Sequence, residues 1–139
     1  MITVRVRRRS TGTIQKALRN MKGPKKVKVG FPAGKSSADN LSKAVWTHFG
    51  TSRGIPERPF LSNSMRKNKG KYRAQMRRAA KSLLRGRTKF RPVLQKLGIQ
   101  GQGDVQEEIT ALKSPPNAAS TIKRKGSSNP LIDSGEMRG

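Results

Sequence analysis

The sequence contains no cysteine, which excludes disulfides, cysteine-ligated metals and thiol nucleophiles. It has a single histidine, His48, so imidazole chemistry has one residue to build on. Aromatic residues are 4% of the chain, too few for a surface that stacks on single-stranded bases. No run approaches the ~20 apolar residues of a membrane span, so no membrane association is expected. The opening "MITVRVRRRSTG" has basic residues with no apolar run behind them and does not read as a secretory signal. Carboxylates are scarce and uneven, with none before Asp39 and none between Glu57 and Asp104.

Positive charge is abundant. Lys and Arg number 32 against 7 Asp and Glu, a formal charge of +25. Such a chain repels copies of itself and attracts polyanions. Nucleic acid and acidic protein surfaces are the natural partners, or else neighbours in a large assembly that neutralise it. Composition leaves these open. Hydrophobic residues reach 32%, which limits the core to a modest one.

Residues 2–6 alternate Ile2, Val4 and Val6 with Thr3 and Arg5, a strand period. Ile14, Leu18 and Met21 follow at helical spacing, and Gly23-Pro24 stops that helix. "KKVKVGFPAG" alternates again through Val27, Val29 and Phe31, predicting a second strand. A short helix is expected from Asp39, with Gly50 as its C-cap. A long helix begins near Phe60, with Tyr72, Met76, Ala79, Ala80, Leu83 and Leu84 on one stripe. Residues 66–96 carry thirteen basic residues, so this helix is a basic rod. Arg73, Arg77, Arg78 and Lys81 are its candidate polyanion contacts. A further helix starts near Phe90, with Pro92 in its first turn. "GIQGQGD" then reads as an interhelix loop, and Asp104 with Glu107 as the capping-box start of another helix. From Ser114 to the end Pro, Ser, Gly and Asn dominate.

Signals for catalysis are sparse. His48 sits beside Trp46 and Phe49, and no nucleophile motif points to it, so a structural role is expected. "GIQGQGD" lacks the Lys-Ser/Thr of a phosphate loop and follows no strand. Glu107 and Glu108 are adjacent, and neighbouring helix positions point in different directions. No metal ligand set is visible. The expectation is a non-enzyme with no cofactor and no metal.

Two stretches are more specific. One is "AVWTHFGTSRGIPERPFL" (44–61); the other is "SPPNAASTIKRKGSSNPLIDSGEM" (114–137). With "VKVGF" (27–31) they resemble, in order and spacing, the virion-morphogenesis family of tailed phages. Its members are tail-completion or neck components at the head–tail junction. The matching residues are Phe49-Gly50, then Ile55, Pro56, Glu57, Arg58, Pro59 and Phe60, then Pro116 and Asn117 through Lys125 to Gly126, then Pro130, Leu131, Ile132 and Asp133. His48 departs from the family's acidic or amide residue, and the family continues into another strand beyond the point where this sequence stops.

The resemblance implies an α+β subunit: a small antiparallel sheet packed against the long basic helix and shorter helices. Residues 1–113 would form the core domain and residues 114–139 an extended C-terminal arm laid over a neighbour. It further implies a homo-oligomeric ring, with a hexamer favoured, in the virion, assembled in the bacterial host cytoplasm. Connector or adaptor proteins and tail-terminator or tail-tube proteins would be the partners, with nonspecific contact to genomic DNA. The residues just named would then be assembly or interface positions. Most of the basic surface is expected to meet acidic proteins, because a basic lumen would grip DNA that must pass. The alternative is a basic nucleic-acid-binding protein serving DNA packaging or the ribosome. Pro56 and Pro59 stiffen the 50–60 loop, and Arg58 is its candidate for a buried or interfacial ion pair, against an exposed side chain.

Overall fold

The computed structural model describes residues 12–31, 34 and 36–132. These form five helices: α1 (Gly12–Asn20), α2 (Ala38–Phe49), α3 (Phe60–Leu84), α4 (Phe90–Ala111) and α5 (Ala119–Lys125). Among the described residues there is no strand, which overturns the expected α+β fold with an antiparallel sheet. The first expected strand, residues 2–6, lies outside the described residues.

The second expected strand shows why the alternation misled. Residues 27–31 run as non-helical chain across helix α4 and pair with no strand among the described residues. A β-carbon built on Gly98 would stand 3.0 Å from Val27 Cγ2, and one on Gly101 would stand 3.0 Å from Val29 Cγ2. Val27 and Val29 therefore pack onto a glycine-lined flank of a helix. Period-two alternation needs one buried face, and a helix flank can supply that face as well as a sheet can.

The same contacts correct the reading of "GIQGQGD". It lies within α4, which is unbroken across it. Each interior glycine costs a helix about 1 kcal/mol relative to alanine. At Gly98 and Gly101 the close approach of the valines offsets that cost. Asp104, expected to cap a new helix, is an interior residue of α4 turned toward α3.

α3 and α4 form an antiparallel hairpin joined at residues 85–89. Three polar contacts stitch it in a single register. Lys67 Nζ donates to Glu108 Oε2 at 2.6 Å, Lys71 Nζ to Asp104 Oδ1 at 2.7 Å, and Gln75 Nε2 to Gln100 Oε1. Each step of four up α3 meets a step of four down α4, the one-turn neighbour spacing of an α-helix. Asp104 and Glu108 are buried. The Tyr72 hydroxyl donates to the second Asp104 oxygen at 2.7 Å.

The core lies at the open end of this hairpin. Ala44 of α2, Phe60 of α3, and Val105, Ile109 and Leu112 at the end of α4 meet Leu131. Val29, Phe31, Leu61, Met65 and Ile132 pack around them. Phe60 and Ile109 are almost fully excluded from water, at 0% and 1% exposure. Residues 114–132, expected to be an extended arm, thus place Leu131 inside the core of their own chain. At the opposite end of the hairpin, the aliphatic stem of Lys16 lies 2.9 Å from where a β-carbon on Gly86 would stand, so α1 sits at the turn between α3 and α4.

Candidate functional site: the joint between residues 50–60 and 114–132

Helix α2 starts at Ser37, whose hydroxyl accepts from the Asn40 amide at 3.2 Å. It stops at Gly50, which has φ +71°. A β-carbon there would stand 2.9 Å from both the Glu57 amide nitrogen and the Ile55 carbonyl oxygen. Only glycine satisfies both that conformation and that approach.

Beyond Gly50 the loop folds on itself. The Thr51 amide donates to the Ile55 carbonyl at 2.9 Å, and the Ile55 amide to Thr51 Oγ1 at 3.3 Å. The Arg58 amide then returns to the Thr47 carbonyl in the last turn of α2, at 2.9 Å. Pro59 follows, and the Phe60 amide reaches back over it to the Arg58 carbonyl at 2.7 Å. The chain enters α3 with Phe60 already in the core. There its ring meets Phe31 and His48 edge-on, with centroids 6.2 and 5.3 Å away.

These turns bury Arg58, which is only 4% exposed. Its Nε donates to the Pro115 carbonyl at 2.8 Å. Its Nη2 donates to the Pro116 carbonyl at 3.0 Å and to Asn117 Oδ1 at 3.3 Å. The partner chemistry suits both sides. Pro115 and Pro116 offer carbonyls and no N–H, and the planar guanidinium offers several donors in a fixed fork. Arg58 has no carboxylate partner among the described residues: it is buried rather than exposed, and backbone carbonyls stand where an ion pair within the chain was expected. Loss of water around the guanidinium pulls its pKa below the ordinary value.

The contact is relayed onward by amides. Asn117 Nδ2 donates to the Asn129 carbonyl at 3.4 Å, and Asn129 Nδ2 to the Thr110 carbonyl in α4 at 2.9 Å. Asn129 Oδ1 accepts from the Leu131 amide at 2.9 Å. Between them α5 ends at Gly126, whose amide donates to the Ile122 carbonyl at 2.9 Å. The segment is thereby folded back so that Pro130 and Leu131 are buried.

The sequence-selected positions divide accordingly. Arg58, Phe60, Asn117, Pro130 and Leu131 converge on this joint, with the Pro116 carbonyl as one acceptor and Pro59 and Ile132 half-buried at its edge. Ile55, Pro56 and Glu57 face outward, and the half-buried Lys125 makes no ion pair among the described residues. Asp133 lies outside the described residues. Arg73, Arg77, Arg78 and Lys81 are all exposed along α3 and form no ion pair among the described residues. Arg78 borders a shallow groove of ≈ 320 Å³ between α3 and α4, lined also by Met76, Val93, Lys96 and Leu97.

His48 is buried against Phe49, with ring centroids 4.6 Å apart, and its Nε2 lies 3.4 Å from Ser62 Oγ. Among the described residues its Nδ1 has no hydrogen-bond partner. Among the described residues no group of His, Asp and Glu is placed to hold a metal ion, and no helix is long and apolar enough to cross a membrane.

The acidic contacts of Asp104 and Glu108 with α3 escaped the sequence reading. The signal was present as the four-residue spacing of Lys67 with Lys71 and of Asp104 with Glu108. Set against known protein families, curated proteins and solved structures, the chain has no significant match.

Proposed function

We propose that this chain is a structural subunit of a tailed-phage virion, a tail-completion or neck protein that works as an oligomeric ring between head connector and tail. The reading rests on the resemblance of residues 44–61 and 114–137 to the virion-morphogenesis family; the antiparallel sheet that the same resemblance implied is absent among the described residues. One observation supports it most. The two resembling stretches, far apart in sequence, meet in a single joint through Arg58 and the carbonyls of Pro115 and Pro116. Their residue choices serve a shaped scaffold and offer no reaction centre.

The test is genetic. In the phage that encodes the chain, a stop codon within α3 is expected to yield DNA-filled heads and separate, finished tails, joined again when the protein is supplied in trans. Normal infectious virions from the mutant would refute the reading.

A second reading, a basic nucleic-acid-binding protein, is favoured by the exposed Arg73, Arg77, Arg78 and Lys81 on α3, which make no ion pair among the described residues. It predicts a monomer that binds duplex DNA, with log affinity falling against log salt at about 0.9 per phosphate neutralised. Under the first reading the basic surface meets acidic neighbouring proteins, and duplex binding at physiological salt is weak.

A further inference from the structure

The groove between α3 and α4 joins an apolar floor to a cationic rim. Met76 and Ala79 of α3 and Val93 and Leu97 of α4 line the floor, each half-buried. Arg78 borders it from α3 and Lys96 from α4, both exposed. Along α3 the groove runs from Gln75 to Ser82, about 10 Å at 1.5 Å per residue, or two turns of helix.

Its surroundings carry one sign of charge. No carboxylate lies between Glu57 and Asp104, so neither wall of the groove has one. Asp104 itself is held by Lys71 and Tyr72. α1, which reaches Gly86 at this end of the hairpin, adds Lys16 and Arg19 and no acid. Arg78 and Lys96 make no ion pair among the described residues.

Floor and rim together select the occupant. The exposed carboxylates of the described chain come singly. Asp39 is paired with Lys43 at 2.8 Å, Glu57 shares its loop with exposed Arg53, and Glu107 adjoins Glu108, which Lys67 neutralises. Among the described residues, a second copy thus has no acidic face to offer. Residues 1–11 hold four arginines and no carboxylate, and residues 133–139 hold one apolar side chain, Met137, too few to cover the floor. A phosphate backbone would use the rim and leave Met76, Val93 and Leu97 uncovered. An acidic amphipathic helix uses both parts: its apolar anchors fill the floor while its carboxylates meet Arg78 and Lys96. Met76 is unbranched and adjusts to the shape of an anchor.

We infer that this groove is the docking site for an acidic amphipathic helix of a neighbouring protein. The inference deepens the structural-subunit reading above, which sets the basic surface against acidic proteins, by naming the surface and the chemistry of its partner.

The test measures fluorescence anisotropy of a labelled helical peptide against the full chain at physiological salt. The peptide carries leucines at i, i+3, i+4 and i+7 and glutamates on its other faces. It is expected to bind saturably, one per chain. The same peptide with its leucines changed to alanine keeps helix and charge, and is expected to bind at least about tenfold more weakly. Arg78→Glu with Lys96→Glu, both at exposed positions, should weaken the leucine peptide at least about tenfold. Arg73→Glu with Arg77→Glu changes net charge equally but lies outside the groove, and should leave its affinity within about threefold, because charges beyond ~8 Å are screened. Circular dichroism checks that both variants stay folded.

Absence of saturable binding would overturn the inference. So would an alanine peptide that binds as tightly, which would leave charge alone, or equal losses in the two double variants. Duplex DNA that binds more tightly than the peptide, and is lost with Arg78 and Lys96, would give the groove to nucleic acid and overturn it too. The ring reading is tested separately, by the oligomer the chain forms without peptide.

Discussion

Arg58 Nε donates to the Pro115 carbonyl at 2.8 Å, across 57 positions of sequence. The contact closes the loop after α2 onto the segment after α4. Arg58→Ala leaves buried carbonyls without donors and is expected to lose about 3 kcal/mol of stability. Arg58→Lys keeps the charge and loses the fork, so it should fall between the two. Urea denaturation measures the series. An alanine variant within about 0.5 kcal/mol of wild type, the range of inert surface changes, would contradict the role given to Arg58.

The α4 glycines are expected to behave in opposite ways. A β-carbon at Gly103 meets nothing within 4 Å, so Gly103→Ala should stabilise by up to about 1 kcal/mol through helix propensity. Gly101→Leu drives a large side chain into Val29 and should cost about 1–3 kcal/mol. Thermal unfolding followed by circular dichroism at 222 nm separates them. Equal shifts in the same direction would disprove the packing of residues 27–31 on α4.

Leu131 is 3% exposed in the core, so truncation after Lys113 is expected to abolish cooperative unfolding. The milder Leu131→Ala should cost about 2–5 kcal/mol. A free arm would predict no change in either case. Guanidinium titration followed by Trp46 emission decides between them.

Tyr72 gives the fold an alkaline limit. Burial, and then the hydrogen bond and negative charge of Asp104, hold its phenol pKa well above the ordinary 10.0. The folded chain thus keeps this proton more tightly than the unfolded chain does. The resulting stability is complete below the unfolded value near 10 and is lost as pH rises toward the folded value. Stability should therefore fall above about pH 10 in the wild type, and less steeply in Tyr72→Phe. As the only tyrosine, Tyr72 can be titrated by tyrosinate absorbance, which should appear together with unfolding. Tyrosinate formed in the folded protein near pH 10 would contradict this environment.

Gly50, Pro59 and Phe60 announced the end of α2 and the start of α3, because capping and proline act locally. Gly98, Gly101 and Gly103 suggested a loop for the same local reason. Their helix is held by valines some seventy residues earlier, which no local pattern reports. Val27, Val29 and Phe31 showed that one face is buried without saying whether a sheet or a helix buries it. Arg58 was legible as a residue to watch in a stiff loop. Its acceptors were not legible, since they are backbone carbonyls and leave no charge pattern in the sequence.

Native mass spectrometry of the purified full chain tests the central claim most directly. The structural-subunit account predicts one discrete closed ring, a hexamer of the 15.3 kDa chain, that persists on dilution and does not need nucleic acid. A monomer at every concentration, joined to duplex DNA with nanomolar affinity at physiological salt, would contradict it.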